Sequence, residues 1–290
     1  MMKLTLLGTG RMGLPMARRL CQAGHQVHVW NRSADKAQPL VADGATVHAG
    51  LATAVAAGDI VISLLENGPV VASVLFEQGA AAAMRPGTLF VDMASIKPAE
   101  AREHAARLAE RGVRHLDAPV SGGTVGAEAG MLAIMAGGEA ADFARALPVL
   151  QVLGQATHVG PHGAGQLAKL ANQMIVGITI GAVAEALLLC ERGGADAAQV
   201  REAIGGGFAQ SRILELHGER MVQRDFAPRA RMTVQLKDLR NALDTAQAMG
   251  FEAPITAALE QLYADGVAHG DSELDHSGLF VELARRNGMG

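Results

Sequence analysis

Only two cysteines occur in the 290 residues, Cys21 and Cys190. Each falls within an apolar helical pattern, which predicts buried free thiols and excludes a disulfide framework or a paired redox motif. No uninterrupted apolar run reaches the ~20 residues that a membrane-spanning helix needs, although 49% of the residues are hydrophobic, so a soluble chain is expected. The chain enters a strand pattern at Lys3 with neither a charged leader and apolar signal core nor an amphipathic transit segment, and the expected location is cytoplasmic. The net charge is −4 and the 25 Lys and Arg residues are spread along the chain, so nucleic acid is not an expected partner. Histidines are scattered without H-E-x-x-H or paired Cys-x-x-Cys spacing, and no metal is expected. Internal repeats and low-complexity linkers are missing too.

What the chain does have is glycine at chosen places. Gly8, Gly10 and Gly13 directly follow the apolar run Lys3 to Leu7 and directly precede the helical pattern Met16 to Leu20. In a strand-turn-helix unit the first glycine permits a tight turn, the second lets backbone approach a pyrophosphate, and the third lets helix and strand pack closely. The helix N-terminus then offers N–H groups to the anion. A second strand, Gln26 to Trp30, ends at Asn31-Arg32-Ser33, about 20 residues beyond the glycines, where such folds read the adenosine ribose. An acidic residue there would bind a ribose 2′-hydroxyl and repel a 2′-phosphate. Asn31 is neutral and Arg32 brings a guanidinium suited to phosphate, which favours NADP(H), with NAD(H) as the alternative. The alternative reading, compatible with the first, makes Arg32 and Ser33 a solvated loop with Ser33 as N-cap before Ala34-Asp35-Lys36.

Length suggests two domains. In the first, strands at 59–65, 88–93 and 114–120 alternate with helical stretches, and strand-like pieces at 132–136 and 157–159 extend the edge, which predicts an α/β Rossmann-type, doubly wound, mainly parallel sheet. After Gly160-Pro161-His162-Gly163 the period changes to helical, with one long helix over 167–190, and then helices near 197–204, 211–222, 233–249, 255–267 and 279–286. The expected domains are 1–161, binding the dinucleotide, and 162–290, all-helical, for substrate binding and oligomerisation. The substrate is expected beyond the carboxyl ends of the strands.

Two further segments carry chemistry. Ser121-Gly122-Gly123 follows a strand, and its glycines let backbone N–H groups converge on a carboxylate while Ser121 adds a hydroxyl; a plain turn is the other reading. Lys169 lies in the first turns of the long helix with Asn172 and Gln173 three and four positions on, on one face. In a hydride-transfer enzyme such a lysine polarises a carbonyl and protonates the forming alkoxide. Alone, it also reads as a surface charge.

The segments Gly8 to Ala17, Asp117 to Gly123, Gly163 to Gln173 and Lys237-Asp238-Leu239 resemble the four signatures of the β-hydroxyacid dehydrogenase family, in order and over nearly the whole chain. The resemblance implies Lys169 as catalytic acid/base, Ser121, Gly122 and Gly123 on the substrate carboxylate, and Asn172 and Gln173 orienting the substrate. It implies a cofactor site of Gly8, Thr9, Gly10, Arg11, Met12, Gly13, Asn31, Arg32, Ser33, Leu64, Leu65 and Glu66, with Ser95 and Lys237 near the nicotinamide. Ser95 is otherwise a strand end, and Lys237 otherwise a partner of Asp238. Two positions depart from the pattern: Gln173 stands where many relatives have a second asparagine, and Glu66 where many have proline. The segments Gly206 to Ser211, Leu239 to Thr245 and Asp275-His276-Ser277 are most similar to the tartronate semialdehyde reductases of the family. The implied activity is reversible NADP(H)-dependent reduction of a short semialdehyde acid, tartronate semialdehyde to D-glycerate. 3-Hydroxyisobutyrate dehydrogenase and glyoxylate/succinic semialdehyde reductase activities are the alternatives, and a homodimer or homotetramer is implied. A cofactor-binding assembly module is the non-enzyme alternative, against which the retained Lys169 argues.

Overall fold

Short runs of branched apolar residues, bounded by glycine and polar residues, form the central sheet because they satisfy both its faces at once. In the computed structural model, which describes residues 1–289, the first part runs β1 (Lys3–Leu7), α1 (Gly13–Gln22), β2 (Gln26–Trp30), β3 (Thr46–Val47), α2 (Leu51–Ala57), β4 (Ile60–Ser63), α3 (Gly68–Ala72), α4 (Ala80–Ala83), β5 (Leu89–Asp92), α5 (Pro98–Ala109), β6 (Arg114–Asp117), β7 (Val120–Ser121), α6 (Gly123–Ala129), β8 (Leu132–Gly138), α7 (Ala140–Leu153) and β9 (Gly154–Gly160). Helices follow: α8 (Ala164–Arg192), α9 (Ala197–Gly205), α10 (Arg212–Gln223), α11 (Met232–Ala248), α12 (Pro254–Gly266) and α13 (Leu279–Arg286).

The strand order is β3-β2-β1-β4-β5-β6-β8-β7, with β9 on β8. From β3 to β6 every pairing is parallel, and β8 joins β6 and β7 antiparallel. The order reverses between β1 and β4, the switch point at which open α/β sheets bind ligands. Alternate residues feed two cores. Leu4, Leu6, Ile60, Ile62, Leu89 and Val91 face α1, α6 and α7, whereas Leu7, Val61 and Phe90 face α2 to α5.

The division into two compact units falls after Lys169, inside α8. The second unit has its own core, in which Ile180, Ala184 and Leu187 of α8 pack with Met221, Met232, Leu239, Tyr263 and Leu279. α8 is long and apolar enough to cross a membrane by length and composition alone. One face of it packs into that core and Gln166 and Gln173 are buried and hydrogen-bonded, while Ile175 and Leu189 on it are exposed.

Four details differ from the sequence reading. The strand expected over 114–120 breaks at Ala118-Pro119, because proline has no N–H for the ladder, and resumes as β7 with antiparallel partners. Gly123 opens the short helix α6 rather than continuing a loop. Ser33 precedes a single 3₁₀ turn but its hydroxyl makes no capping bond. Cys21 and Cys190 are free thiols, half-buried rather than buried, since each sits at the rim of its helix's apolar face.

Candidate functional site

The glycine-rich turn is built as its spacing requires. Gly8 adopts φ +97°, and a Cβ there would lie 2.5 Å from the Leu64 carbonyl oxygen and 3.2 Å from Leu65 Cδ2, so the turn presses on the end of β4. A Cβ on Gly13 would overlap the Gly8 carbonyl, which is what close strand-helix packing means in this chain. Gly10 differs: it is exposed, and a Cβ there meets nothing within 4 Å. Gly8 N–H donates to Trp30 O (3.0 Å), and Thr9 N–H donates to Asn31 Oδ1 (3.0 Å). Asn31 Nδ2 donates in turn to Ser33 O at 2.9 Å. Asn31 therefore ties the turn to the end of β2, while Arg32, Ser33, Arg11 and Glu66 are exposed. The buried Thr9 hydroxyl makes no hydrogen bond among the described residues. An open face at Gly10, an unsatisfied hydroxyl and the start of α1 together fit a pyrophosphate.

At the carboxyl ends of β4, β5 and β6, Ser63, Asp92 and Asp117 stand in register, all fully buried. Asp92 Oδ1 accepts from Ser63 Oγ (2.7 Å) and from the Ala94 N–H (3.1 Å), while Oδ2 has no partner among the described residues. Burial pushes the Asp92 carboxyl up to about 7, with Asp117 and Glu100 adding to the rise against the two hydrogen bonds. Burial also raises Asp117, offset by the N–H groups of Gly163 and Gln166.

Those two N–H groups open α8. Gly163 N–H donates to Asp117 Oδ1 at 2.8 Å and Gln166 N–H to Asp117 Oδ2 at 2.9 Å, so a carboxylate from β6 caps the helix that carries Lys169. Gln166, itself fully buried, donates from Nε2 to Ala94 O (2.8 Å) and accepts on Oε1 from the Ile96 N–H (3.0 Å). It thereby grips both neighbours of Ser95. Three residues on, Lys169 is also buried. Ser121 ends β7, half-buried, and Gly122 (φ +138°) and Gly123 (φ +63°) follow it, both exposed.

In the second unit the structure gathers Asn172, Gln173, Gln235, Lys237 and Asp238. Asn172 Nδ2 donates to Gln173 Oε1 (2.8 Å), and Gln173 Nε2 donates to Asp238 Oδ2 (2.7 Å) and Gln235 Oε1 (3.3 Å). Gln235 Nε2 returns a bond to Gln173 O at 2.9 Å, and a Cβ on Gly177 would lie 2.6 Å from that Nε2, so α8 and α11 meet closely. Both ends of the Gln173 amide are thus engaged in holding α11 and Asn172, which gives the extra methylene a use. Lys237 Nζ lies 3.2 Å from Asp238 Oδ1, the ion pair that the sequence left open beside a cofactor role.

Asp92, Asp117, Gln166 and Gln235 were not singled out from sequence as candidate site residues. Asp92 ends an apolar strand, and Asp117 and Gln166 lie within segments that carry the family resemblance, but no sequence pattern marks what these side chains bind, and none marks Gln235.

Comparison with known proteins identifies the family. Residues 3–161 match the model described as the NAD binding domain of 6-phosphogluconate dehydrogenase, and residues 163–283 the model described as NAD-binding of NADP-dependent 3-hydroxyisobutyrate dehydrogenase. The chain is 45% identical to 2-hydroxy-3-oxopropionate reductase of Escherichia coli, covering 97% of each. It is 36% identical to 3-hydroxyisobutyrate dehydrogenase of Pseudomonas aeruginosa, covering 96% of each. A structure of 3-hydroxyisobutyrate dehydrogenase from Mycobacterium tuberculosis with L-serine superposes with a TM-score of 0.90 at 35% identity, covering 98% of this chain and 99% of that one. The chain belongs to the β-hydroxyacid dehydrogenase family, an NAD(P)-dependent oxidoreductase of the hydroxyacid dehydrogenase class acting on a small molecule.

Proposed function

We propose that the protein uses NADPH to reduce a short semialdehyde acid, tartronate semialdehyde, to D-glycerate, reversibly. The observation that carries this reading is the 45% identity, over 97% of both chains, to a relative named for that reaction, together with the segments of the second unit that are similar to the same subgroup.

The dinucleotide would be held by Gly8 to Gly13, Asn31 to Ser33 and Leu64 to Glu66 within 1–161, with Arg32 on the 2′-phosphate. Ser95 and Lys237 would approach the nicotinamide end. When bound, the reduced nicotinamide supplies a hydride to the carbonyl carbon. Ser121 Oγ and the N–H groups of Gly122 and Gly123 would receive the substrate carboxylate, fixing which carbon faces that hydride. The Lys169 ammonium polarises the carbonyl and gives its proton to the oxygen as it becomes an alkoxide, a role supplying roughly 10²- to 10⁴-fold in rate. Asn172 orients the substrate, with Gln173 bracing Asn172. The 162–290 domain would also carry self-association into a dimer or tetramer. Apolar residues exposed there, among them Ile175, Leu189 and Phe251, support that.

A panel of C3 and C4 semialdehyde acids and 3-hydroxy acids, assayed with each nicotinamide cofactor, tests the substrate. The highest kcat/KM is expected for tartronate semialdehyde with NADPH. Turnover of 3-hydroxyisobutyrate without turnover of tartronate semialdehyde would overturn it.

A further inference from the structure

Four hydrogen bonds tie the start of α8 to a strand end or to the loop that follows one. Asp117 accepts from Gly163 and Gln166 at the helix start. The Gln166 side chain bridges the carbonyl of Ala94 and the N–H of Ile96, 72 and 70 residues away. Backbone packs directly on backbone at the same place: a Cβ on Gly137 of β8 would lie 2.6 Å from Gly165 N, 2.8 Å from Asp117 Oδ1 and 2.8 Å from Pro161 O, and one on Gly165 would overlap the carbonyls of Asp117 and Met135. With no side-chain layer between them, helix and sheet cannot slide without breaking these bonds. Lys169 stands one turn beyond Gln166 on the same helix face, at i+3, and both are buried.

We infer that Gln166 and Asp117 are positioning residues that hold Lys169 in register with the loop bearing Ser95 and the strand leading to Ser121. Both side chains are fully buried and bonded to protein backbone. Asp117 fixes the rotation and height of the helix start, and Gln166 locks that start to the loop after β5. Because the amide of Gln166 donates and accepts at once, it joins one C=O and one N–H that would otherwise be buried unpaired. The inference rests on the reading of Lys169 as proton donor. Misplacing a reacting group by about 1 Å costs on the order of 10²-fold in rate, and that is the scale of effect expected here.

The test is a double-mutant cycle on the full-length protein between Gln166→Met and Lys169→Ala, reading kcat on tartronate semialdehyde, NADPH affinity by fluorescence titration, and melting temperature. Methionine keeps length and volume but neither hydrogen bond. Gln166→Met is expected to bind NADPH within about threefold of wild type and to lose about 10²-fold in kcat. In the Lys169→Ala background the same substitution is expected to change the residual rate less than about threefold, because a residue acting through the lysine has nothing left to position.

Equal losses in both backgrounds would assign Gln166 to general packing and overturn the inference. So would wild-type kcat in Gln166→Met beside a strongly impaired Lys169→Ala, an outcome that leaves the proton-donor reading standing. Wild-type turnover by Lys169→Ala would overturn both. Should Gln166→Met fail to fold, Gln166→Glu decides: its protonated carboxyl both donates and accepts, whereas its carboxylate, near Asp92, Asp117, Glu100, Lys97 and Lys169, cannot donate to Ala94 O. The ratio of its rate to wild type should therefore fall as pH rises, and a ratio flat with pH would overturn the inference.

Discussion

Replacing Gly10 and Gly8 by alanine, one at a time, separates nucleotide binding from folding. At Gly10 the new methyl meets no protein atom within 4 Å and the backbone is not left-handed, so the fold is expected to keep its stability or gain up to ~1 kcal/mol from a less flexible unfolded chain. The same methyl would stand where a pyrophosphate must approach backbone. Losing that approach, at about 2–3 kcal/mol, weakens NADPH binding roughly 30- to 150-fold. At Gly8 the chemistry reverses. Its φ of +97° costs an L residue about 1–2 kcal/mol. Its Cβ would lie 2.5 Å from Leu64 O, so the ends of β1 and β4 must part by about 0.9 Å to reach an ordinary 3.4 Å contact, an overpacking cost of about 1–3 kcal/mol. At roughly 2–4 °C per kcal/mol for a unit of this size, Gly8→Ala should melt at least ~4 °C lower. Thermal melts and NADPH fluorescence titrations on the two variants provide the measurement. A Gly10→Ala protein that binds NADPH like wild type, or that melts as low as Gly8→Ala, would refute the assignment of this turn.

Arg32→Ala is expected to weaken NADPH roughly 10- to 150-fold, the worth of a charge-assisted contact of about 1.5–3 kcal/mol, and to leave NADH affinity within about twofold; equal losses for both cofactors would remove Arg32 from the 2′-phosphate. For Asp92, whose carboxyl is raised from 3.8 to about 7 in the folded protein, the native state holds a proton that the unfolded chain has released, so stability falls as pH rises from about 4 to about 7 and levels off above. At 1.36 kcal/mol per unit the whole span is worth about 4 kcal/mol, and Asp92→Asn, which can still accept from Ser63 and Ala94, should flatten that part of the stability-pH curve; an unchanged curve would contradict the burial argument.

Much of the fold was legible because apolar periodicity reports it directly. β4 and β5 are apolar runs closed by one polar residue, β1 and β2 carry their apolar residues among Lys3, Thr5, Gln26 and His28, α8 keeps a helical pattern, and several helix ends carry punctuation: Asp196 and Ser211 cap α9 and α10, Pro254 opens α12, and Gly205 and Gly266 close α9 and α12. The two-residue β3 has too few residues to show a period, and the break before β7 depends on what Pro119 cannot donate. In the candidate site, spacing alone exposed the glycine turn, and helical geometry alone put Lys169, Asn172 and Gln173 together. The partners of Asp117 and Gln166 are backbone groups 46 to 72 residues away, which leave no mark on local pattern. Gln173 looked like a departure from a substrate contact; its bonds to Gln235 and Asp238, 62 and 65 residues on, give it a bracing role no local reading supplies.

The most direct measurement is single-turnover reduction of tartronate semialdehyde by Lys169→Ala loaded with NADPH. A lysine that donates the proton requires NADPH to bind within about threefold of wild type while the rate of nicotinamide oxidation drops about 10²- to 10⁴-fold. Wild-type oxidation with cofactor bound would contradict it.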